Sequence, residues 1–253
     1  MRFNELEKER QRNRSFTQER FSNRLSAIQE CIDTQYEYVK LFYGFLGKRN
    51  LTQHGDAETP IISAVVKNEI ALYSGLILTV DGLYGSGLAL LRSVYEALII
   101  AKFASLRQSD NLISKWIAGE TIYFSNAVLK KIVAPELVEL KILWETLCPV
   151  SHATIYSYQV TTKFEEIENE ISANLAILAM LLGCNFHLIN KHYITDSMVY
   201  FAKNYQSKEC EFQRRRDAAK TATRTATKFL SRQGRQVIKE YSRAWQLAPS
   251  VSL

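Results

Sequence analysis

The stretch Phe21-Ser22-Asn23-Arg24-Leu25-Ser26-Ala27-Ile28-Gln29-Glu30-Cys31-Ile32-Asp33-Thr34-Gln35-Tyr36-Glu37-Tyr38-Val39-Lys40-Leu41-Phe42-Tyr43 sets the fold class. Its apolar residues Phe21, Leu25, Ile28, Ile32, Tyr36, Val39 and Tyr43 follow one another in steps of four and three. That spacing draws one stripe along one side of an α-helix. Upstream, residues 1–15 are dense in charge, and an end that frays or extends beyond the core is expected there. Downstream, Gly47 ends the helix. Thr59-Pro60 starts the next, which runs to Val80. Asp81-Gly82 signals a turn, and a second apolar helix covers Tyr84 to Leu106. Ser109 caps a helix through Val133, Ala134-Pro135 breaks it, and a short helix reaches Cys148. Pro149 and the stretch Ser151 to Val160 read as a loop. Thr162-Lys163-Phe164-Glu165 is a capping box for a helix to Ile194, and Thr195-Asp196 starts a last, very long helical pattern to Trp245. The expected fold is all-α: one domain over residues 1–253, a bundle of six or seven helices with long terminal helices. The core lies in 60–194, and 195–247 forms a long basic C-terminal helix.

Composition supports this and excludes several classes. Of 253 residues, 47% are apolar and 23% charged, which rules out a disordered, collagen-like or disulfide-scaffolded chain. Only 4 prolines and 10 glycines argue against a turn-rich β protein. Cys31, Cys148, Cys184 and Cys210 include no C-x-x-C pair and none stands beside histidine at ligand spacing, so no metal and no cofactor is expected. Reduced thiols fit a cytoplasmic protein. The start Met1-Arg2-Phe3-Asn4-Glu5 lacks the apolar run of a secretory signal. The apolar stretches 70–91 and 171–190 read as core helices rather than membrane spans, because Asp81-Gly82 interrupts one and Asn174, Asn185, His187 and Asn190 the other.

Charge is unevenly spread. Residues 201–253 hold 12 Lys and Arg against 4 Asp and Glu, while residues 51–200 hold 10 against 15. Arg216, Lys220, Arg224, Lys228, Arg232, Arg235, Lys239 and Arg243 recur every three or four residues, so they sweep one half of a helix, thickened by Arg214 and Arg215. Ala218, Ala219, Ala222, Ala226, Phe229, Leu230 and Val237 take the other half. Such a face tracks phosphates, with Tyr241 and Trp245 available to stack on bases. The alternative is a solubilising outer face, or a basic side turned inward onto the chain's own acids.

Two polar groups stand out against apolar surroundings. Arg92 and Glu96 are four apart on one face of a largely apolar helix, a candidate site or a structural ion pair between helices. His152 follows a helix end, where a loop presents a side chain as acid or base, or simply hydrogen-bonds it to the loop. The runs Ala71-Leu72-Tyr73-Ser74-Gly75-Leu76 and Gly87-Leu88-Ala89-Leu90-Leu91-Arg92-Ser93-Val94-Tyr95-Glu96-Ala97 resemble a bacterial helical family of unknown function. Its members carry an LLR-S-x-x-E helix and a later Y-x-x-L-S-x-x-x-H segment. The latter corresponds here to Trp144 through His152, with Trp144 and Cys148 in place of tyrosine and serine. The resemblance covers roughly residues 60–160. It implies a helical fold and groups Arg92, Glu96 and His152.

Arg49-Asn50-Leu51-Thr52-Gln53-His54 is similar to the R-N-x-x-x-H signature of HEPN ribonucleases, helical bundles that are often dimeric toxins or antiviral effectors. That resemblance implies metal-free cleavage of RNA, with Arg49 on the scissile phosphate, His54 moving a proton and Asn50 orienting the reacting group. The alternative is an exposed interhelical loop. Gly82-Leu83-Tyr84-Gly85-Ser86-Gly87 has no preceding strand and reads as a hairpin corner rather than a nucleotide loop, and His187 and His192, five apart, make a poor metal pair. Two functions are therefore expected: an RNA-associated effector, with a defence or toxin ribonuclease as its catalytic form, or a non-catalytic module that forms homo-oligomers or binds a helical partner.

Overall fold

A computed structural model describes residues 3–46, 58–106, 111–120, 124, 128–129, 137–151, 164–204 and 206–243. Eight helices are described, packed into one all-α bundle. They are α1 (Phe3–Leu46), α2 (Glu58–Val80), α3 (Tyr84–Leu106), α4 (Asn111–Ile117), α5 (Val138–Ser151), α6 (Phe164–Asn204), α7 (Gln206–Thr227) and α8 (Arg232–Arg243). Helix α6 is the axis, because α1, α2, α3, α7 and α8 all pack on it. Its Ile177, Leu178, Ala179, Leu181, Leu182, Cys184, Phe186 and Leu188 are buried, so this part of the helix is enclosed nearly all round. An apolar run without a polar face is buried by surrounding helices, which accounts for its position. Two helices, α2 over Ser63–Val80 and α6 over Ile167–Asn190, are long and apolar enough to cross a membrane. The α6 segment is 72% buried inside the bundle, as a core helix should be, against 44% for α2.

Helices α2 and α3 form a tight hairpin. Gly82 takes φ +82°, which an L side chain rarely adopts. The Leu83 N–H reaches back to the Leu78 carbonyl at 2.8 Å, closing the helix end. Beyond the turn the two helices nearly touch: a Cβ on Gly87 would lie 3.4 Å from the Gly75 carbonyl oxygen and 3.3 Å from Thr79 Oγ1. The glycine run is therefore a packing corner.

Several sequence expectations change. Residues 1–15 do not fray where described. Helix α1 begins at Phe3, and Arg10 and Arg14 both clasp Asp81, which is 2% exposed at the hairpin tip. Charge near the start favours order here because a buried carboxylate needs partners. The helix axis breaks at Phe21 (φ −124°, ψ 18°). Past that break the stripe residues Ile28, Ile32 and Val39 are buried as expected, but the buried side is shifted from the stripe: Tyr36 is 45% exposed, whereas Cys31, Gln35 and Tyr38 beside it are buried.

Gln35 is the centre of a buried polar layer. Its amide donates to the Leu182 carbonyl at 2.9 Å and to Thr223 Oγ1 at 3.1 Å, and its oxygen accepts from Asn185 Nδ2 at 3.1 Å. Asn68 Nδ2 in turn donates to Asn185 Oδ1 at 3.1 Å. The chain joins α1, α2, α6 and α7, and satisfied groups of this kind fix how helices sit against one another.

The long C-terminal helix is also redrawn. Thr195-Asp196 lies inside α6, where a capping pair is simply carried within a continuous helix. The segment from Lys228 to Ser231 separates α7 from α8. Thr223, Thr225 and Thr227 hydroxyls bond back to the carbonyls four residues earlier, at 2.7, 3.1 and 2.8 Å, which loosens the helix end. Ser231 Oγ then accepts the Gly234 N–H at 3.1 Å, an N-cap for α8. Pro149 sits in the last turn of α5 instead of opening a loop.

Candidate functional site

The Arg92–Glu96 pair lies where α3 packs on α5. Arg92 Nε donates to Glu96 Oε1 at 2.9 Å, and the side chains are 16% and 31% exposed. The guanidinium carbon stands 4.7 Å from the centre of the Trp144 ring, within cation–π range. Trp144 stacks on Tyr95 at 5.9 Å, whose hydroxyl donates to the Leu140 carbonyl at 2.8 Å. One turn after Trp144 comes Cys148. Burial raises its thiol above the ordinary range; the Arg92 charge pulls the other way, and Glu96 and Glu145 push it further up. A raised thiol stays protonated at neutral pH and is a poor nucleophile. Among the described residues the group therefore offers an arginine held between a carboxylate and an indole face. His152, the third member expected here, lies outside the described residues.

Arg49, Asn50 and His54 also lie outside the described residues. Among the described residues no cluster of metal-ligating side chains occurs. His187 is partly buried, and desolvation holds it below its ordinary range.

The basic C-terminal segment divides in two. In its first part the charges are answered by the chain itself. Arg214 pairs with Glu211 at 2.8 Å, Arg215 pairs with Glu211 and with Glu37 on α1, and Arg216 Nε donates to Asn190 Oδ1 at 3.3 Å. In the second part they are not. Arg224, Lys228, Arg232, Arg235, Lys239 and Arg243 are exposed, and none makes an ion pair among the described residues. Lys220, half-buried at the margin, makes none either. The opposite sides of both helices pack inward: Ala219, Ala222 and Ala226 from α7, and Val237 and Tyr241 from α8. The basic side thus faces solvent, as the alanine pattern implies, but on two helices joined by the segment from Lys228 to Ser231 rather than on one.

What anchors α8 escaped sequence reasoning. Glu240, 4% exposed, accepts the backbone N–H groups of Glu139 and Leu140 at 2.9 and 3.1 Å and so caps the N-terminus of α5. Tyr241 donates to the Leu98 carbonyl at 3.1 Å, and Gln233 Nε2 to Glu139 at 2.8 Å. Lys102 was also missed. It is fully buried in α3, and desolvation lowers its pKa to about 8. A lone charge in the apolar run from Ala97 to Ala104 was the available signal. No protein-family model, no characterised protein and no solved structure matches this chain, which stands as an all-helical protein with no family identified.

Proposed function

We propose that the protein binds single-stranded RNA, as a phosphate polyanion, along the ridge formed by α7 and α8. One observation carries this reading: from Arg224 to Arg243 six cations stand in solvent without acidic partners among the described residues, while Glu240, the acid within that stretch of sequence, is turned inward to cap α5. Keeping like charges together in this way is unfavourable until an anion answers them. Contacts of this type position a backbone without reading its sequence. The catalytic extension, metal-free cleavage by Arg49, Asn50 and His54 or by His152 acting with Arg92, belongs to the same proposal as its second step.

The test is the salt dependence of binding. The triple replacement Arg224→Gln, Lys228→Gln and Arg232→Gln removes three phosphate contacts. For single strands each contributes about 0.7 to the slope of log affinity against log salt, so the slope falls by about 2. An unchanged slope together with lost stability sinks the reading, because the cations would then serve the fold. RNA integrity in the presence of a chelator, with His54→Ala and His152→Ala as comparisons, tests the second step separately. Degradation that persists in both variants removes these histidines from the proposal.

A further inference from the structure

Helix α2 is apolar on both sides, yet the bundle covers only one. Ala64, Val65, Asn68, Leu72, Leu76 and Thr79 face inward and are buried. On the other side Ile70 is 69% exposed, Tyr73 51% and Ile77 39%, continued by Leu83 at 37% just past the turn. A helix that is apolar all round belongs between partners on every side; α2 packs on α1, α3, α4 and α6, and among the described residues these leave Ile70, Tyr73 and Ile77 exposed.

The outer residues follow a strict pattern. The exposed Ile70, Tyr73 and Ile77, with the half-buried Ser63, Val66 and Val80 in line with them, alternate in steps of three and four, a 3.5-residue period kept over the described helix. That period is the seam of two helices wound on each other, with β-branched Ile70 and Ile77 at the position that favours two strands. The seam is narrow. One edge carries the exposed Lys67 and the half-buried Ser74, and the other passes into buried Glu69 and Leu76, whereas a helix lying in a lipid surface needs a broad apolar side with basic residues on both flanks. We infer that α2 pairs with α2 of a second copy of this chain. This goes beyond the RNA reading and rests on none of its residues.

The size of the interface agrees. The four exposed side chains together amount to about two whole large residues, so ~350 Å² of apolar surface per copy and ~700 Å² for the pair. Homodimer interfaces are about 65% apolar, so the full contact is ~1,100 Å², near the lower end of specific association. The dimer is therefore expected to be weak, dissociating in the micromolar range.

Sedimentation of the full chain over a roughly hundredfold concentration range is the test. The expected result is a monomer–dimer equilibrium that Ile70→Glu with Ile77→Glu abolishes at unchanged helix content. A Tyr73→Cys chain with Cys148→Ser and Cys210→Ser should form covalent dimers with a short bismaleimide, a readout that needs no destabilising charge. A chain that stays monomeric throughout, or a dimer that survives the glutamates, overturns the inference. So does a monomer that floats with phosphatidylcholine vesicles and loses that property with the glutamates, since the seam would then face lipid.

Discussion

Replacing Glu240 by alanine should detach α8 from the bundle by its strongest polar anchor. The carboxylate is 4% exposed and accepts two backbone N–H groups of α5, so its removal strands two donors. The Leu140 N–H is buried and the Glu139 N–H partly so. A charged hydrogen bond contributes about 1.5–3 kcal/mol, and losing an N-cap costs about 1 kcal/mol. These overlap, since the cap is the hydrogen bonds, and water reaches the Glu139 donor once α8 loosens. A net loss of ~3 kcal/mol follows. For a chain of this size each kcal/mol shifts the midpoint of thermal unfolding by about 2–4 °C, so Glu240→Ala should lower it by about 6–12 °C. Glu240→Gln keeps an acceptor at the same place and loses only its charge, so it should cost about half as much. Urea unfolding of the three chains, read by far-ultraviolet circular dichroism, gives the free energies directly. A loss below ~0.5 kcal/mol for alanine, or equal losses for alanine and glutamine, would refute the capping argument, because such a change is that of an ordinary surface residue.

The clasp on Asp81 should make stability fall in acid. Burial raises this carboxyl, but hydrogen bonds and charge from Arg14 and Arg10 outweigh it and hold the pKa below the ordinary 3.8. The stabilisation is therefore complete above that ordinary value and is lost as pH falls through the lower folded one. Asp81→Asn should remove this acid limb from a plot of stability against pH, and an unchanged plot would show that the clasp is idle. Lys102 should act in the opposite direction. Its pKa is lowered by burial from 10.5 to about 8, so the folded state resists the charge that the unfolded chain accepts. Stability should rise between pH 8 and 10.5, and Lys102→Met should raise stability at neutral pH by on the order of 3 kcal/mol while abolishing that rise. Denaturant titrations at several pH values check both, and a methionine variant weaker than the parent would mean that the buried amine is bound by a favourable partner.

The fold class was legible because helical periodicity is a local property. The α2–α3 hairpin, its Asp81-Gly82 turn and the apolar α6 could all be read from spacing and turn chemistry. Rotation of a helix about its axis could not. In α1 the apolar residues drew a stripe through Tyr36, yet at 100° per residue the buried arc centres about 60° away, on Cys31, Gln35 and Tyr38. Gln35 faces inward because Asn185, Thr223 and the Leu182 carbonyl, all more than a hundred residues distant, satisfy its amide. Hydrophobicity alone has no means of assigning a glutamine to a core.

The candidate site divides in the same way. From the sequence, Arg92 and Glu96 could be paired, since they are one turn apart, and the basic and alanine sides of the C-terminal segment could be separated. Chain-distant contacts decided the rest: Trp144 beneath Arg92, Glu37 answering Arg215, and Glu240 turned away from the ridge to cap α5. By itself the sequence determined which segments are helical and which residues share a face, because these depend on neighbours within one or two turns. Which of those faces meet, which charges are left to solvent, and which apolar side of α2 stays uncovered were decided only by the tertiary structure. A charge or an apolar stripe acquires its energy from what packs against it, and that partner lies far along the chain.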